Sequence, residues 1–322
     1  MKINNLKNYY SNGKLLLTGE YLVLDGAKSL AIPTKFGQDL IVEKIKEPQI
    51  FWGSFTNTGE CWFEAVFDLT KLRLVNCSFN SDKEGNAEII AETLLEILEE
   101  AKRLNPTFLK TDGGFVVKTK LTFPRNWGLG SSSTLINSIA NWAKVDAFQL
   151  LWNSFKGSGY DIACAQNDGP IFYQIEKDFS TSIEMTPKIE QVEFNPIFKE
   201  NLFFVFLNQK QDSKEGIAKF RESNLDFSKE INRISQISDA FLKTKCVKDF
   251  NTLIVEHEQI ISSIIQLQPV KEKRFADYNL GEIKSLGAWG GDFVLVTGNE
   301  KTPQYFKEKG YETIFNYTDL IL

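Results

Sequence analysis

Two stretches of the chain have a clear hydrophobic pattern. Over residues 86–104, apolar side chains recur three and four positions apart, which predicts an amphipathic helix, and Asn105-Pro106 ends that pattern. The apolar face of this helix consists of Ile90, Leu94, Ile97, Leu98 and Ala101. From Phe115 to Phe123, apolar and polar residues alternate, which predicts a strand with one buried face. Helical and strand periods therefore both occur early in the chain.

The remaining sequence mixes short strands with helices. Residues 13–32 are predicted to form a strand pair in which Tyr21 to Leu24 belongs to the second strand and Asp25-Gly26 is a hairpin signal. The further predicted elements are β-like runs across 39–80, helices from Leu135 and from Ala147, strands at 171–174, 202–207 and 293–297, and helices across about 214–267. Polar sequence from Glu176 to Asn195 is the best candidate for a linker. Because strands and helices do not alternate regularly, the pattern favours an α+β class over a doubly wound sheet.

Composition restricts the class of protein. The 322 residues include 37 Lys and Arg against 42 Asp and Glu, a formal net charge of −5, which argues against a dedicated nucleic-acid binder. At roughly 150 residues per domain, the length suggests about two domains. The one histidine, His257, excludes zinc sites that need two histidines, so acid–base chemistry falls to a carboxylate, Lys or Tyr. His257 shares an apolar helical stripe with Phe250, Ile254, Ile261 and Ile264, which favours a packed histidine over a functional one.

Cysteine usage and the N-terminal sequence bear on the compartment. Cys61, Cys77, Cys164 and Cys246 lie far apart and form no CxxC pair, as is typical of a reducing cytosol. The first 14 residues lack the apolar core of a signal peptide. The run Leu202 to Leu207 is far shorter than the ~20 apolar residues that span a bilayer. We therefore expect a cytoplasmic protein without a membrane partner.

A glycine- and serine-rich loop precedes the helix that starts near Leu135. In Gly128-Leu129-Gly130-Ser131-Ser132-Ser133, the glycines allow close approach of the backbone, and the helix start offers free N–H groups to an anion. Serine hydroxyls there can bond phosphate or ligate magnesium. No Lys follows these glycines as in a Walker loop, and Ser133 replaces the last glycine of a Rossmann loop. Taken alone, the loop is equally compatible with phosphate binding and with an ordinary helix start capped by its serines.

Four segments, in the same order along the chain, resemble the motifs of the GHMP kinases. PRNWGLGSSST at 124–134 resembles their phosphate-binding loop, PxxxGLGSSAA, and GKLLLTGEYLVLDGAKSLAIP at 13–33 resembles their N-terminal motif. GSGYDIACA at 157–165 resembles the block that carries the catalytic aspartate, and KSLGAWGGDFVLV at 284–296 resembles the C-terminal glycine motif. The chain is identified as a member of this superfamily, in the phosphomevalonate and mevalonate kinase-like branch that includes proteins labelled by the string GYDIA.

The resemblance implies an α+β protein with the two-domain GHMP kinase fold. Residues 1–180 are expected to form an N-terminal domain like ribosomal protein S5, which holds ATP and the catalytic groups. Residues 190–322 are expected to form a ferredoxin-like α/β sandwich that closes the substrate site. The resemblance also implies ATP and Mg²⁺ as cofactors, a small anionic substrate, no nucleic-acid partner, and a monomer or homodimer.

The resemblance assigns roles to individual residues. The loop residues Gly128, Leu129, Gly130, Ser131, Ser132 and Ser133 are expected to hold the β- and γ-phosphates of ATP. Asp161 is expected to orient the acceptor hydroxyl or accept its proton, while Lys14 keeps that carboxylate ionised and stabilises the transferred group. Contacts to the substrate are expected from Glu20, Tyr21, Ser158, Gly159, Gly287 and Gly290.

The magnesium site departs from the pattern of the mevalonate kinases. Those enzymes carry a metal-binding glutamate on the helix before the catalytic aspartate, whereas Ala147 to Phe155 contains no acid. Magnesium is therefore expected to depend on Ser132, phosphates and water. Trp289 also stands where the family has a glycine, and it is expected to narrow that turn.

The resemblance leaves the acceptor open between two substrates. GEY at 19–21, GSGYD at 157–161 and GGD at 290–292 favour 5-phosphomevalonate, and mevalonate is the alternative. A phosphorylated acceptor needs extra cations, for which the candidates are Lys156, Lys210 and Lys284. The alternative of another class is a catalytically weak relative that binds a nucleotide or metabolite.

Overall fold

The computed structural model describes residues 6–79, 87–155, 157–178, 184–209, 220–221, 225–289 and 291–322. The chain forms two compact units, each assembled from several segments. The first unit comprises Met1–Gly13, Phe36–Arg125 and Leu129–Gln166. The second unit comprises Lys14–Lys35, Asn126–Gly128 and Asn167–Leu322.

The first unit contains a mixed β-sheet. Its strands are β1 (Leu6–Leu16, up to Gly13), the second part of β2 (Ser29–Ile45), β3 (Gln49–Phe55), β4 (Cys61–Asp68), β5 (Arg73–Phe79) and β6 (Gly114–Leu121). Strands β5, β4 and β3 are antiparallel neighbours, β3 runs parallel to β6, and β6 pairs antiparallel with β2. In β4, Phe63, Ala65 and Phe67 are buried, so every second side chain faces the core.

Four helices accompany this sheet. They are α1 (Ala87–Leu104), α2 (Ser131–Ala143), α3 (Ala147–Ser154) and α4 (Tyr160–Gln166). The helix predicted over 86–104 is confirmed as α1, whose buried face packs against β5, α2 and α3. Helix α3 starts where the Asp146 carboxylate accepts the N–H of Gln149 at 2.8 Å, a side-chain cap. Helix α4 packs against α2, which brings the start of α2 and the start of α4 into the same unit.

The second unit contains two groups of strands. In one, β7 (Ile171–Asp178) pairs with β8 (Glu184–Gln191) and with Ser29–Ala31 of β2. The other is an antiparallel sheet in the order β10 (Ile283–Ser285), β11 (Phe293–Thr297), β9 (Leu202–Phe206) and β12 (Ile314–Asn316). Strands β9 and β11 are buried along their length and apolar except for Thr297 at the end of β11, as is typical of strands covered on both faces.

The helices of the second unit surround that antiparallel sheet. They are α5 (Ser228–Lys243), α6 (Val247–Ile265), α7 (Val270–Arg274), α8 (Thr302–Glu308) and α9 (Tyr317–Leu320), with short 3₁₀ helices at Leu22–Asp25 and Lys199–Asn201. Helices α6 and α7 contact β10, and Phe275 and Phe306 pack in the core below the sheet. No helix in the described part of the chain is long and apolar enough to cross a membrane.

The structure confirms the α+β class but corrects two predicted elements. Tyr21 to Leu24 do not form a strand, because Tyr21 has a φ of 64° and the N–H of Leu24 bonds the Tyr21 carbonyl at 3.0 Å, which closes a 3₁₀ turn. The segment from Glu176 to Asn195 is not a linker throughout. Its residues continue β7 and form β8, where Pro187 lies opposite Ile175.

Candidate functional site

The glycine- and serine-rich loop leads into α2, and the N-terminus of this helix has no side-chain cap. Gly130 is the N-cap residue, with a φ of 90°, so the predicted capping by serine is wrong. The hydroxyl of Ser133 points back instead and donates to the Gly130 carbonyl at 2.9 Å, which also accepts the N–H of Thr134. The N–H groups of Ser131, Ser132 and Ser133 therefore precede the first hydrogen bond of the helix.

The side chains at this helix start suit an anion. Ser132 is exposed and Ser131 half-buried, and neither hydroxyl has a hydrogen-bond partner among the residues that the structure describes. Leu129 is fully buried and holds the loop to the core between its two glycines. Free N–H groups, exposed hydroxyls and the positive end of the helix dipole together favour phosphate binding.

Lys14 lies at the first residue of the loop. It belongs to β1, is half-buried, and its Nζ donates to the carbonyl oxygen of Gly128 at 3.0 Å. The contact spans 114 positions of sequence and brings the N-terminal motif to the phosphate loop. An ammonium group at this place adds positive potential where negative charge is expected.

Asp292 also lies against Gly128, and sequence reasoning missed this residue. A Cβ atom placed on Gly128 would lie 2.4 Å from Cγ of Asp292, so a glycine is required there. The backbone of Asp292 is fixed by its N–H to the Gln209 carbonyl at 2.6 Å and by its carbonyl to the Leu207 N–H at 2.8 Å. Only its place in GGD marked this aspartate in the sequence.

Asp161 lies in the first turn of α4 and is half-buried. Gly159, with a φ of 91°, supplies the carbonyl that accepts the Ala163 N–H at 3.0 Å, and Ser158 beside it is buried. At the other end of α4, Gln166 donates to Asn137 of α2 at 3.0 Å. This bond joins the helix that carries Asp161 to the helix that follows the loop.

Asn137 is a second residue that sequence reasoning missed. Its amide nitrogen donates to Ser11 Oγ of β1 at 2.9 Å, and Ser11 Oγ lies 2.8 Å from Ser138 Oγ. Asn137, Ser11 and Ser138 are all buried, so each polar group needs such a partner. In the sequence, Asn137 stands between Ile136 and Ile139, two apolar residues of the buried face of α2.

Tyr21 contacts the C-terminal glycine motif. Its hydroxyl donates to the carbonyl of Ala288 at 2.9 Å, between Gly287, with a φ of 63°, and the buried Trp289, with a φ of 55°. Burial raises the pKa of Tyr21 to about 12, helped by the charge of Glu20, so the hydroxyl stays a donor at neutral pH. The predicted site residue Gly290, like Lys156 and Lys210, lies outside the described residues.

Glu20 and Lys284, two residues expected near the substrate, form a buried ion pair. Lys284 Nζ lies 2.5 Å from Glu20 Oε1 and donates to the Ser285 carbonyl at 2.9 Å. Glu20 is 1% exposed and Lys284 is fully buried. The two charges are thus paired with each other inside the second unit, and contacts of Glu20 with the substrate and of Lys284 with an acceptor phosphate stay predictions.

His257 is packed rather than functional, as its apolar stripe predicts. It is fully buried, and its Nε2 accepts the N–H of Gly19 at 3.0 Å. Burial lowers its pKa well below the ordinary value, and the charge of Lys284 lowers it further, so the ring is neutral. The single histidine thus supports the turn that carries Glu20 and Tyr21.

The described residues give magnesium few ligands of their own. Among them, no group of three His, Cys, Asp or Glu side chains could hold a metal ion. The exposed hydroxyl of Ser132 is an oxygen donor of the type that Mg²⁺ accepts, and phosphate oxygens and water commonly complete such a site. The residues fit a magnesium ion that arrives with a nucleotide.

The chain resembles known proteins in its fold but matches none of them by sequence comparison. No protein-family model matches the chain, and no curated protein matches it in sequence. Mevalonate kinase of Methanococcus jannaschii matches in structure with a TM-score of 0.67 at 17% identity, over 98% of both chains. Phosphomevalonate kinase of Streptococcus pneumoniae, solved with phosphomevalonate and AMPPNP, gives 0.66 at 15% identity, also over 98% of both chains.

A sugar kinase matches in the same way. Galactokinase of Lactococcus lactis, solved with galactose, gives a TM-score of 0.63 at 15% identity, over 97% of this chain and 93% of that chain. Three kinases with different acceptors thus share the fold, which by itself does not select a substrate. Over nearly its whole length, the chain has the fold of the GHMP kinases, as its four ordered motifs predict.

Proposed function

We propose that this protein is an ATP-dependent kinase that phosphorylates a small acceptor of the mevalonate pathway, with 5-phosphomevalonate as the first candidate. The observation that carries the proposal is the start of α2, where uncapped N–H groups and exposed serines follow a glycine held by Lys14. A cation and a helix start next to one loop are what the transfer of a phosphoryl group requires. The GHMP kinase fold supports the same conclusion.

The loop positions the phosphates of ATP. In this proposal, the N–H groups of Ser131, Ser132 and Ser133 and the two free serine hydroxyls bind the β- and γ-phosphate oxygens. Lys14 stabilises the negative charge that develops on the transferred group. When bound, Mg²⁺ neutralises phosphate charge, and Ser132 is the residue of this chain proposed to contact it.

Asp161 acts on the acceptor. Its carboxylate orients the acceptor hydroxyl and accepts its proton as the new O–P bond forms. The bond from Gln166 to Asn137 fixes α4 against α2, so the carboxylate is held relative to the loop. Ser158, Gly159, Tyr21 and Gly287 are proposed to shape the acceptor pocket around it.

The acceptor remains a choice between two related molecules. Of the three lysines that would discriminate a phosphorylated acceptor, Lys284 is already paired with Glu20, so Lys156 and Lys210 are the two that this proposal relies on. The GEY, GSGYD and GGD strings still favour 5-phosphomevalonate over mevalonate. Equal turnover of the two acceptors would remove this preference.

The deciding experiment measures ADP release with Mg²⁺-ATP and a panel of acceptors. Mevalonate, 5-phosphomevalonate, homoserine and common sugars are compared in parallel, and the highest kcat/KM is expected with 5-phosphomevalonate. Asp161→Asn and Lys14→Met should each lower kcat about 100-fold or more, since each removes a group that acts in the transition state.

Matched controls separate catalysis from folding. Asp168→Asn changes an exposed aspartate seven positions after Asp161, and Lys28→Met changes a lysine that pairs with Asp239 outside the proposed site. Both controls should retain turnover. Full activity in Asp161→Asn would contradict the mechanism, and no turnover with any acceptor despite clear ATP binding would favour the catalytically weak relative.

A further inference from the structure

A cluster of four buried groups lies at the base of the C-terminal glycine motif. Glu20, His257, Glu258 and Lys284 are each between 0% and 4% exposed. They come from the turn after β1, from α6 and from β10, and all belong to the second unit. The roles proposed above for Lys14, Asp161 and the loop do not use this cluster.

Glu258 makes two contacts with the residue that leads into the glycine-rich turn. Its Oε2 accepts the N–H of Ser285 at 3.1 Å and the hydroxyl of Ser285 at 3.0 Å. Its other oxygen, Oε1, lies 3.8 Å from Lys284 Nζ and has no hydrogen-bond partner among the described residues. Oε2 thus acts as a hydrogen-bond acceptor, and Oε1 is the oxygen that can carry a proton.

The charges of the cluster assign that proton. Lys284 is its one cation, since the imidazole of His257 is neutral and accepts the Gly19 N–H. Two carboxylates beside one ammonium would leave an unpaired buried charge, which is costly in a low-dielectric interior. Glu20 Oε1 contacts Lys284 at 2.5 Å, whereas Glu258 stands 3.8 Å away, so Glu20 is the carboxylate and Glu258 the neutral acid.

Ser285 connects Glu258 to the proposed site. It ends β10, opposite Val294, and the turn at 287–289 begins two residues later. Within that turn, the Ala288 carbonyl accepts the hydroxyl of Tyr21, and after it Asp292 lies against Gly128 of the phosphate loop. By binding Ser285, Glu258 therefore fixes one end of the turn. This turn contacts Tyr21 and leads to Asp292.

We propose that Glu258, in its protonated form, is a positioning residue for the turn at 287–289, which begins the C-terminal glycine motif's glycine-rich segment. Its effect on catalysis rests on the proposed function, whereas its effect on the folded state does not. Burial raises the pKa of Glu258 to about 8. The positive charge of Lys284 lowers this pKa, and the negative charge of Glu20 raises it. Among the described residues, Lys284 and Glu20 are the charged groups that act on Glu258, and His257 lies behind them, with its Nε2 3.2 Å from Glu20 Oε2.

The direction of the pH dependence follows from this assignment. An unfolded glutamate titrates near pH 4.3, and folded Glu258 near 8, so the folded state binds the proton more tightly. Its contribution to stability is complete below the unfolded pKa and is lost as the pH rises through the folded one. Ionisation then places a second carboxylate in the cluster and weakens the position of Ser285.

The first test needs no enzyme assay. Urea unfolding of the wild-type chain and of Glu258→Gln is compared from pH 6 to pH 9.5. The wild-type midpoint should fall between pH 6 and about pH 8 and change little above it, and the Glu258→Gln midpoint should fall much less, because an amide keeps the acceptor and cannot ionise. The matched control Glu256→Gln, on the exposed side of the same helix, should follow the wild type. Parallel curves for the wild type and Glu258→Gln overturn the inference.

A second measurement tests the protonation of Glu258 even if Glu258→Gln fails to fold. Carbon NMR of wild-type protein labelled at the glutamate carboxyl carbon should show a neutral carboxyl at pH 7 that titrates near pH 8. Absence of such a signal overturns the assignment without any variant.

The third measurement tests positioning. The pH profile of kcat, scaled to the maximum of each enzyme, should fall at alkaline pH in the wild type and stay flatter in Glu258→Gln. Glu258→Ala should lower kcat more than it changes the KM for ATP, and Glu258→Gln should recover most of that loss. Identical profiles in the wild type and Glu258→Gln contradict a positioning role. If no acceptor gives turnover, the proposed function fails, while unfolding and NMR still decide the protonation of Glu258.

Discussion

Single residues show where the backbone of the site tolerates no side chain. Gly128 has a φ of 68°, and the Asp292 carboxylate occupies the space that a Cβ would need. Gly19 has a φ of 87°, and a Cβ there would lie 2.0 Å from Ser29 Oγ. Both glycines are thus needed for conformation and for space, and both stand next to residues of the proposed site.

We predict that Gly128→Ala weakens both stability and nucleotide binding. The new Cβ must displace Asp292, and an L-residue at this φ is strained, which together cost about 1–3 kcal/mol. Urea unfolding should show this loss, and the KM for ATP should rise several-fold because the loop shifts. Gly169→Ala is the control, since a Cβ there meets no atom within 4 Å. A variant at Gly128 with unchanged KM and stability would contradict the described packing.

At the scale of elements, the start of α2 differs from the start of α3. Helix α3 has a carboxylate cap at Asp146, whereas α2 follows a left-handed glycine and leaves its first N–H groups without a side-chain acceptor. Helices with an acidic or capped start are more stable, by about 0.3–1 kcal/mol for each favourable charge. The absence of a cap at α2 therefore costs stability at the place where a phosphate is proposed to bind.

Ser132→Asp should stabilise the fold and weaken ATP binding. An added carboxylate in the first turn of α2 interacts with the helix dipole, so the free energy of unfolding should rise by about 0.3–1 kcal/mol. The same charge repels phosphate, so the KM for ATP should rise at least 10-fold. Cys246→Asp is the matched control, because Cys246 is the exposed N-cap of α6 and has no side-chain cap bond. It should stabilise the protein without changing the KM. An unchanged KM in Ser132→Asp would argue against phosphate at this helix start.

The elements that the sequence predicts are those with a sustained period. Helix α1 repeats its apolar face over 18 residues, so its position follows from the pattern alone. The four apolar residues from Tyr21 to Leu24 have no such length, and the left-handed φ of Tyr21 is a local conformation that a short apolar run does not reveal. Strand β8 was missed for a related reason, because its charged residues and Pro187 resemble a loop until β7 is placed beside it.

At the scale of the whole molecule, the site depends on contacts between distant parts of the sequence. The motif order indicated Lys14, Asp161 and the loop, which are local features of three segments. The pairing of Glu20 with Lys284 joins residues 264 positions apart, and Tyr21 reaches Ala288 across 267 positions. Patterns in the sequence describe neighbours along the chain, so they gave no means of seeing that Lys284 is buried or that Asp292 lies against Gly128.

The whole molecule should report nucleotide binding through its stability, independently of turnover. A ligand that binds only the folded state stabilises it by RT ln(1 + [L]/Kd), about 2.7 kcal/mol at 100 times Kd. We expect Mg²⁺-AMPPNP to raise the free energy of unfolding of the wild type and of Asp161→Asn to a similar extent, because Asp161 is proposed to act on the acceptor. At the same concentration, the gain should be smaller for Gly128→Ala and Ser132→Asp, whose loop is altered. AMP lacks the β- and γ-phosphates and should stabilise the wild type much less. Equal stabilisation by AMP and AMPPNP would place the main contacts away from the loop. No stabilisation by either nucleotide would contradict the proposed ATP site.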